Sequence, residues 1–260
     1  MLLKDKVVVV TGVGPGMGRK LALIAAAEGA KVAVSARTQS FVDGVVAEIK
    51  DAGGQAIAVA TDVADNAQCE RLAAATLDAF GRIDGLVNSA RAHGPFITFE
   101  DGKIEDWAAN MEVTCFGALR MVKAVLPTMK RQGGGAVVNV STMAALKPMT
   151  GEADYATAKG ALTTATRQLA NELGHYNIRV NCTRMGWMWG VPVQGYVKAQ
   201  AKHDGVPEAE IIAPIAARIA LGVIPPDEDC AKSVLFFVSD YSKMVTGASL
   251  DVNGGEYMAP

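Results

Sequence analysis

Tyr155 and Lys159 are the residues of this sequence whose types and spacing best suit proton transfer. Side chains four residues apart lie on the same face of a helix. A nearby ammonium group stabilises a phenolate, so it lowers the pKa of a tyrosine from its usual value of about 10 and makes it a usable general acid or base. The same pair on a solvated helix face would have no chemical role, and the spacing alone does not distinguish the two interpretations.

A glycine-rich turn near the start of the chain suits phosphate binding. Four valines at 7–10 lead into the sequence Thr-Gly-Val-Gly-Pro-Gly-Met-Gly at 11–18, after which an alanine-rich helix is expected. Glycines allow positive φ angles in a tight turn and let the backbone approach a pyrophosphate at a positive helix N-terminus. The spacing differs from the Gly-x-Gly-x-x-Gly fingerprint, and glycine clusters also occur in turns without ligands.

Arg37 bears on the choice of dinucleotide. NAD-binding domains usually carry an acidic residue after the second strand, where it accepts hydrogen bonds from the ribose 2′-hydroxyl. Here Ala36 and Arg37 follow that predicted strand. A guanidinium attracts a 2′-phosphate, so the sequence favours NADP(H). NAD(H) remains possible if Arg37 points into solvent.

These residues lie among alternating strand and helix patterns. Continuous β-branched runs indicate strands that are covered on both faces, and helical periodicity fills the segments between them. The pattern predicts a single-domain α/β fold over residues 1–260, a Rossmann-like doubly wound parallel sheet with helices on both faces. The predicted strands are 6–11, 31–35, 56–60, 86–88, 136–141, 178–182 and 249–252, and the predicted helices are 18–27, 40–52, 65–80, 105–130, 154–176 and 227–239.

Residues 185–226 form the one long segment without a predicted element. It contains Trp187 and Trp189 and most of the late prolines. Long irregular segments are usually functional, so we expect a lid over the substrate, with a surface helical hairpin as the alternative. Bulky apolar groups here favour a hydrophobic alicyclic or aromatic substrate, although they could instead pack a subunit contact or the core.

The sequence resembles the short-chain dehydrogenase/reductase family over nearly its whole length. The matching motifs lie at Thr11–Gly18, Asp62–Val63, Asn88–Ala90, Tyr155–Lys159, Ile178–Asn181 and Val245–Gly255. The resemblance implies a hydride transfer between a nicotinamide and a ketone or secondary alcohol, and commonly a homotetramer or homodimer. The cofactor-binding residues that it implies are Thr11, Gly12, Gly16, Met17, Gly18, Arg37, Asp62, Val63, Asn88, Ala90, Tyr155, Lys159 and Gly186.

Four catalytic residues follow from the resemblance, two of which depart from the family pattern. Tyr155 is the acid/base, and Lys159 tunes it and binds the nicotinamide ribose. Thr142 stands where the family has a substrate-orienting serine; adjacent Ser141 would point to the opposite face of the strand. Thr114 stands where an asparagine usually supports a proton relay, and it could bond back to the helix and bend it.

Further departures surround the expected nicotinamide site. Arg91 replaces a glycine, Met185 a proline, and Gly190 a threonine that commonly binds the carboxamide. Arg91 could recognise an acidic substrate group or could pair with Glu100 or Asp101. Together with His93, Trp187 and Trp189, it makes up the expected substrate-binding set. Because of these departures, a non-catalytic dinucleotide sensor or scaffold is the alternative function.

Composition limits the remaining possibilities. The chain has 260 residues, of which 50% are hydrophobic, and its net charge is −2, so disorder and nucleic-acid binding are disfavoured. No stretch approaches the roughly 20 apolar residues of a membrane span. The four cysteines and three histidines have no metal-ligand spacing. We therefore expect no metal, no membrane association, free thiols and a cytoplasmic location.

Overall fold

A computed structural model gives the structure of residues 1–92, 94 and 96–259. Seven strands form one parallel sheet in the order β3-β2-β1-β4-β5-β6-β7. They are β1 (Val7–Thr11), β2 (Lys31–Ala36), β3 (Gln55–Ala60), β4 (Gly85–Asn88), β5 (Gly135–Thr142), β6 (Ile178–Met185) and β7 (Ser249–Val252). The strand order reverses between β1 and β4, and ligands of such sheets bind outside the carboxyl ends of the strands at this point.

Helices cover both faces of the sheet, as the sequence predicts. They are α1 (Met17–Ala27), α2 (Gln39–Asp51), α3 (Asn66–Phe80), α4 (Ile104–Asn110), α5 (Gly117–Arg131), α6 (Ala153–Leu173), α7 (Val191–Asp204), α8 (Glu208–Ala216) and α9 (Asp227–Val238). Val8 and Val10 pack into one apolar cluster, with residues of α1, α2 and α9, while Val9 packs into another, with residues of α3 and α5. This two-sided burial explains why β1 is a continuous apolar run rather than an alternating one.

Residues 104–131 form one continuous rod, but not the uniform helix predicted for 105–130. Between α4 and α5 the segment Met111–Phe116 is π-helical. Such wide turns concentrate at functional sites, because the extra residue per turn redirects a side chain. Here the wide turn carries Thr114, which is fully buried.

The segment 185–226 contains two helices, α7 and α8, so the prediction of an irregular segment is wrong and the helical alternative fits the structure. Its role as a lid stays a prediction. Pro192 stands in the first turn of α7, where its missing N–H has no intrahelical role. Gly205 ends the same helix in the left-handed region at φ +69°, the usual glycine stop. Pro192 and Gly205 are helix start and stop signals that can be recognised in the sequence. Helix α7 was nevertheless not predicted, because it has no clear apolar face. Across the described residues, no helix is long and apolar enough to cross a membrane.

Candidate active site

The glycine-rich turn forms a tight cradle against the end of β4. Gly12 has φ +70°, and a Cβ atom there would lie 2.3 Å from the backbone N and Cα of Ala90. A Cβ atom at Gly18 would lie 2.5 Å from the Gly12 carbonyl oxygen. Only glycine therefore fits at either position.

The N-terminus of α1, which begins at buried Met17, is open toward this turn. Gly16 precedes it without a side-chain cap, and the first turn holds no acidic residue. A Cβ atom at Gly14 would meet nothing within 4 Å. A helix N-terminus without a side-chain cap beside a glycine loop that is open at Gly14 fits a pyrophosphate, so the residues present suit a dinucleotide.

Thr11 and Asn88 hold the strand ends together through side-chain hydrogen bonds. The Thr11 hydroxyl donates to the Val87 carbonyl at 3.4 Å. The Asn88 amide donates to Asn139 Oδ1 at 2.9 Å and to the Ala118 carbonyl at 3.3 Å. Both side chains are buried. In this structure they bond to the protein interior and set the position of the turn and of β4.

The residues expected around the adenosine end of the cofactor are Asp62, Val63 and Arg37, and the protein holds the first two but not the third. The Asp62 carboxylate accepts from the Ala64 N–H at 3.0 Å, while Val63 packs so closely on Gly117 that a Cβ atom there would lie 2.6 Å from Val63 Cγ2. Arg37 is exposed and makes no hydrogen bond or ion pair with the described residues. Its guanidinium is therefore available to a ligand, whereas Arg19 is bound to Glu48.

Tyr155, Lys159 and Thr142 meet where β5 ends beside the first turns of α6. Lys159 Nζ lies 5.8 Å from the centre of the Tyr155 ring and donates to the Val140 carbonyl at 2.5 Å. The Thr142 hydroxyl donates to the Met185 carbonyl at 3.3 Å and accepts from the Ala144 N–H at 3.2 Å. The three predicted side chains are thus brought together.

Ser141 points away from this cluster. Its hydroxyl lies 3.2 Å from the Lys159 carbonyl and 2.9 Å from Thr163 Oγ1, inside the contact between β5 and α6. Thr142, the next residue, interacts with the Tyr155 phenol. The opposite directions follow from strand alternation, and they leave Thr142 as the hydroxyl at the site.

The expected lowering of the Tyr155 pKa is wrong for this structure. Burial raises the pKa of Tyr155 to about 12, although Arg91 and the Thr142 hydroxyl act to lower it. Burial and Arg91 lower the pKa of Lys159 to about 7. The loss of solvation outweighs the neighbouring charges because Lys159 is only 1% exposed. At neutral pH the phenol is therefore protonated.

Thr114 and Arg91, two departures from the family pattern, are joined through Ala92. The Thr114 hydroxyl accepts from the Ala92 N–H at 3.2 Å, which fixes the backbone that follows Arg91. The Arg91 guanidinium carbon lies 5.9 Å from the centre of the Tyr155 ring. Arg91 forms no ion pair with Glu100 or Asp101, so the pairing alternative is wrong. His93 lies outside the described residues.

The region expected around the nicotinamide is closely packed. A Cβ atom at Gly186 would lie 2.6 Å from Asn253 Cβ, and one at Gly190 would lie 2.8 Å from Asp227 Oδ2. Asp227 therefore takes the space that a threonine side chain at position 190 would need. No residue with a side chain fits at position 186, one of the predicted cofactor-binding positions.

Trp187 and Trp189 pack against Ile215, Ile219 and Ile224, beside α8. Both side chains stay partly exposed, so this packing does not decide between the alternatives, and their substrate-binding role stays a prediction. Trp189 also donates its backbone N–H to the Pro225 carbonyl at 2.7 Å. The buried Trp187 indole N–H has no partner among the described residues, so it can still serve a ligand.

Sequence reasoning missed a buried pair beside Tyr155. The Asn110 amide donates to Asp154 Oδ2 at 2.6 Å, and Asp154 Oδ1 accepts from the Tyr155 N–H at 2.7 Å. The pair joins the end of α4 to the start of α6. Asp154 could have been singled out from the sequence because it is an acidic residue beside Tyr155. Its partner Asn110 could not, because it lies 44 residues away along the chain.

The chain matches, over residues 12–256, a family model described as enoyl-(acyl carrier protein) reductase. An uncharacterized oxidoreductase of Thermotoga maritima is 34% identical over 98% of each chain. The chain belongs to the short-chain dehydrogenase/reductase family. An L-rhamnose 1-dehydrogenase (NAD(P)(+)) of Azotobacter vinelandii is 34% identical over 99% of each chain. The crystal structure of L-sorbose reductase from Gluconobacter frateurii, complexed with NADPH and L-sorbose, superimposes over the full length of both chains with a TM-score of 0.94 at 26% identity.

Membership makes this protein an oxidoreductase of that family and explains the arrangement of its site. The parallel sheet with helices on both sides is the Rossmann-like fold of the relatives. An open glycine turn at the strand-order reversal and a Tyr-x-x-x-Lys pair at the end of β5 lie at the same edge of the sheet. This edge suits a nicotinamide dinucleotide cofactor.

Proposed function

We propose that the protein is an NADP(H)-dependent oxidoreductase that transfers a hydride between nicotinamide and a ketone or secondary alcohol. The observation that carries the proposal is the cluster of Tyr155, Lys159 and Thr142 at the carboxyl edge of the sheet. A binding protein needs no phenol placed beside a fully buried amine. The non-catalytic sensor therefore remains only the alternative.

Tyr155 is the proposed proton donor to the substrate oxygen. Its pKa of about 12 keeps the phenol protonated at neutral pH, which suits reduction of a carbonyl rather than oxidation of an alcohol. Thr142, which lies beside the phenol, would donate a hydrogen bond to the same oxygen. When bound, a reduced nicotinamide supplies the hydride.

Lys159 and Thr114 have the supporting roles in this proposal. The buried ammonium of Lys159 would bind the nicotinamide ribose and replenish the proton of the tyrosine. The Thr114 hydroxyl is already bonded to the Ala92 N–H, so we assign it to holding the loop after β4. This differs from the water-linked relay expected of an asparagine.

Replacement of Tyr155 by phenylalanine tests the mechanism. We expect turnover of ketones to fall by at least about a hundredfold, while NADPH binding stays within about twofold of the unaltered protein. Tyr176→Phe is the matched control, because Tyr176 precedes β6 at the amino edge of the sheet, opposite the cluster, and phenylalanine keeps its ring contacts with His175 and Lys130. Unchanged turnover in Tyr155→Phe would refute the acid/base assignment.

The preference for NADP(H) rests on the position and type of Arg37, a guanidinium directly after β2 with no protein partner among the described residues. Its exposure by itself fits the NAD(H) alternative equally well. Arg37→Asp is expected to weaken NADPH binding at least tenfold and to improve NADH binding. Arg167→Asp, an exposed arginine on α6, controls for the change in net charge. Reduced-nicotinamide fluorescence measures both dissociation constants. An unchanged ratio would favour the NAD(H) alternative.

We also propose that residues 185–226 act as a substrate lid over a bulky alicyclic or aromatic substrate. At the start of α7, Pro192 Cδ lies 3.5 Å from a Cβ atom built on Gly16, so this segment reaches the glycine turn. Trp187 joins the two lid helices, because it packs with Ile215 of α8 and its ring centre lies 5.8 Å from that of Tyr196 in α7. Cofactor-dependent protection of α7 from hydrogen exchange would support closure, and equal exchange would contradict it.

A homodimer or homotetramer is proposed from the exposed apolar side chains near the edge strand β7. Tyr241 and Met244 are 80% and 96% exposed, and Phe236 and Leu250 lie nearby in the chain with exposed surfaces. Exposed apolar groups at a sheet edge suit a subunit contact. Light scattering after size-exclusion chromatography measures the mass. The four buried free cysteines fit the proposed cytoplasmic location.

A further inference from the structure

Arg91 brings a positive charge into the candidate site that no protein carboxylate neutralises. Its side chain is exposed, and it forms no ion pair or hydrogen bond with any described residue. Its guanidinium carbon lies 5.9 Å from the Tyr155 ring centre, close to the 5.8 Å of Lys159 Nζ. An exposed guanidinium and a buried amine therefore approach the same phenol.

The position of this charge is fixed by its own strand and by the helix opposite. Arg91 follows shortly after β4, and the Ala92 N–H is held at 3.2 Å by the Thr114 hydroxyl. Thr114 is fully buried in the π-helical turn. The backbone that carries Arg91 is thus anchored on both sides, which suits a residue that must hold a ligand in one orientation.

The charges that face Tyr155 leave the site able to accept an anion. Arg91 is the exposed cation, whereas Lys159 is buried and its pKa is lowered to about 7. Glu152 is the carboxylate whose charge acts on the phenol. Asp154 is a second carboxylate beside Tyr155, and its two oxygens already accept from the Asn110 amide and the Tyr155 N–H. Glu152 does not form an ion pair with Arg91. A guanidinium near apolar and aromatic groups binds a carboxylate through two parallel N–H donors.

We infer that Arg91 binds a carboxylate of the substrate, so that the preferred substrates are alicyclic or aromatic keto acids rather than neutral ketones. The inference rests on the proposed function, because it places the reacting ketone at Tyr155. With the ketone oxygen at the phenol, a carboxylate on the same ring faces the guanidinium. Arg91 is then a specificity-determining residue.

Binding of an unreactive pair tests the inference without turnover. Cyclohexanecarboxylate and cyclohexanecarboxamide have the same ring and nearly the same shape, but only the first is charged. Each is titrated into the protein–NADPH complex while the fluorescence of the reduced nicotinamide is followed. We expect the unaltered protein to prefer the carboxylate and Arg91→Gln to weaken carboxylate binding by roughly tenfold to a hundredfold. Carboxamide binding should remain unchanged.

Two controls separate a local effect from a general one. Arg167→Gln removes a remote exposed arginine and should leave the preference intact. Arg91→Lys should recover only part of it, since an ammonium cannot form the two parallel bonds. Equal binding of both probes to the unaltered protein overturns the inference. A loss of NADPH binding in Arg91→Gln also overturns it, because Arg91 would then serve the cofactor.

Turnover of oxocyclohexanecarboxylate and its methyl ester completes the test. Arg91→Gln should raise KM for the acid at least tenfold and leave the ester unchanged. Equal losses of kcat for both, with a shifted pH profile, would mean that Arg91 acts through Tyr155, and would overturn the inference. If the unaltered protein reduces neither compound but its binding preference depends on Arg91, the carboxylate-binding role of Arg91 stands, while its assignment to a keto-acid substrate fails together with the proposed function.

Discussion

Asp154→Ala should destabilise the protein through its buried partner Asn110. The Asp154 carboxylate accepts from the Asn110 amide at 2.6 Å and from the Tyr155 N–H at 2.7 Å. Asn110 is 2% exposed, so its amide would lose its acceptor and have no access to water. The Tyr155 N–H lies in the first turn of α6, where such groups can bind water instead. Only the lost acceptor of the Asn110 amide therefore counts in full, and we expect the free energy of unfolding to fall by about 2–4 kcal/mol.

Asp154→Asn is the matched control, because Asn110 Oδ1 is buried without a partner. If the Asn110 amide rotates, that oxygen can accept from the new amide at position 154, while the Asn110 NH2 group moves to the place where Oδ1 had no partner. The single oxygen of the new side chain at position 154 still accepts from the Tyr155 N–H. One hydrogen bond of the pair is kept, so we expect Asp154→Asn to lose about 1 kcal/mol less than Asp154→Ala.

Urea unfolding followed by circular dichroism measures both variants, with NADPH binding to the folded proteins as a check on the site. Equal losses for Asp154→Ala and Asp154→Asn would refute the reasoning, since charge rather than hydrogen-bond matching would then dominate. A loss below about 1 kcal/mol for Asp154→Ala would also refute it, because the Asn110 amide would have found another partner.

Two further predictions concern the pH dependence of stability and the space at Gly190. Because the Lys159 pKa is lowered from 10.5 to about 7, the unfolded chain binds more protons in this range and stability should rise as the pH increases from 7. The raised Tyr155 pKa reverses the trend above pH 10, since the folded state then binds more protons up to about pH 12. Lys159→Met should abolish the rise in urea midpoints between pH 7 and 10, and an unchanged rise would contradict the assignment. Gly190→Thr should lower the melting temperature, and Asp227→Ala should restore part of it; purely additive effects would contradict the steric explanation.

The sheet was predictable because each strand carries a local signal. Val7–Val10 is apolar without alternation, and the structure buries alternate residues in two different clusters. The directions of Ser141 and Thr142 were predictable for the same reason, since adjacent side chains of a strand point to opposite faces. In these cases the information lies within a few neighbouring residues.

The missed features depend on residues distant in sequence. The Asn110–Asp154 pair and the close packing of Asp227 on Gly190 join segments that no local pattern connects. The pKa of Tyr155 was predicted in the wrong direction for a related reason. Spacing showed the neighbouring charge of Lys159, whereas the larger effect is burial, which depends on the complete fold.

The departures from the family pattern are joined to other residues rather than scattered. Thr114 replaces an asparagine and holds the backbone beside Arg91, which itself replaces a glycine. Gly190 replaces a threonine at the place where Asp227 fills the space. Folding stability alone would retain such contacts in a non-catalytic scaffold as well as in an enzyme, so they do not separate the two. The retained Tyr155 and Lys159 do, because a scaffold has no use for a phenol beside a buried amine.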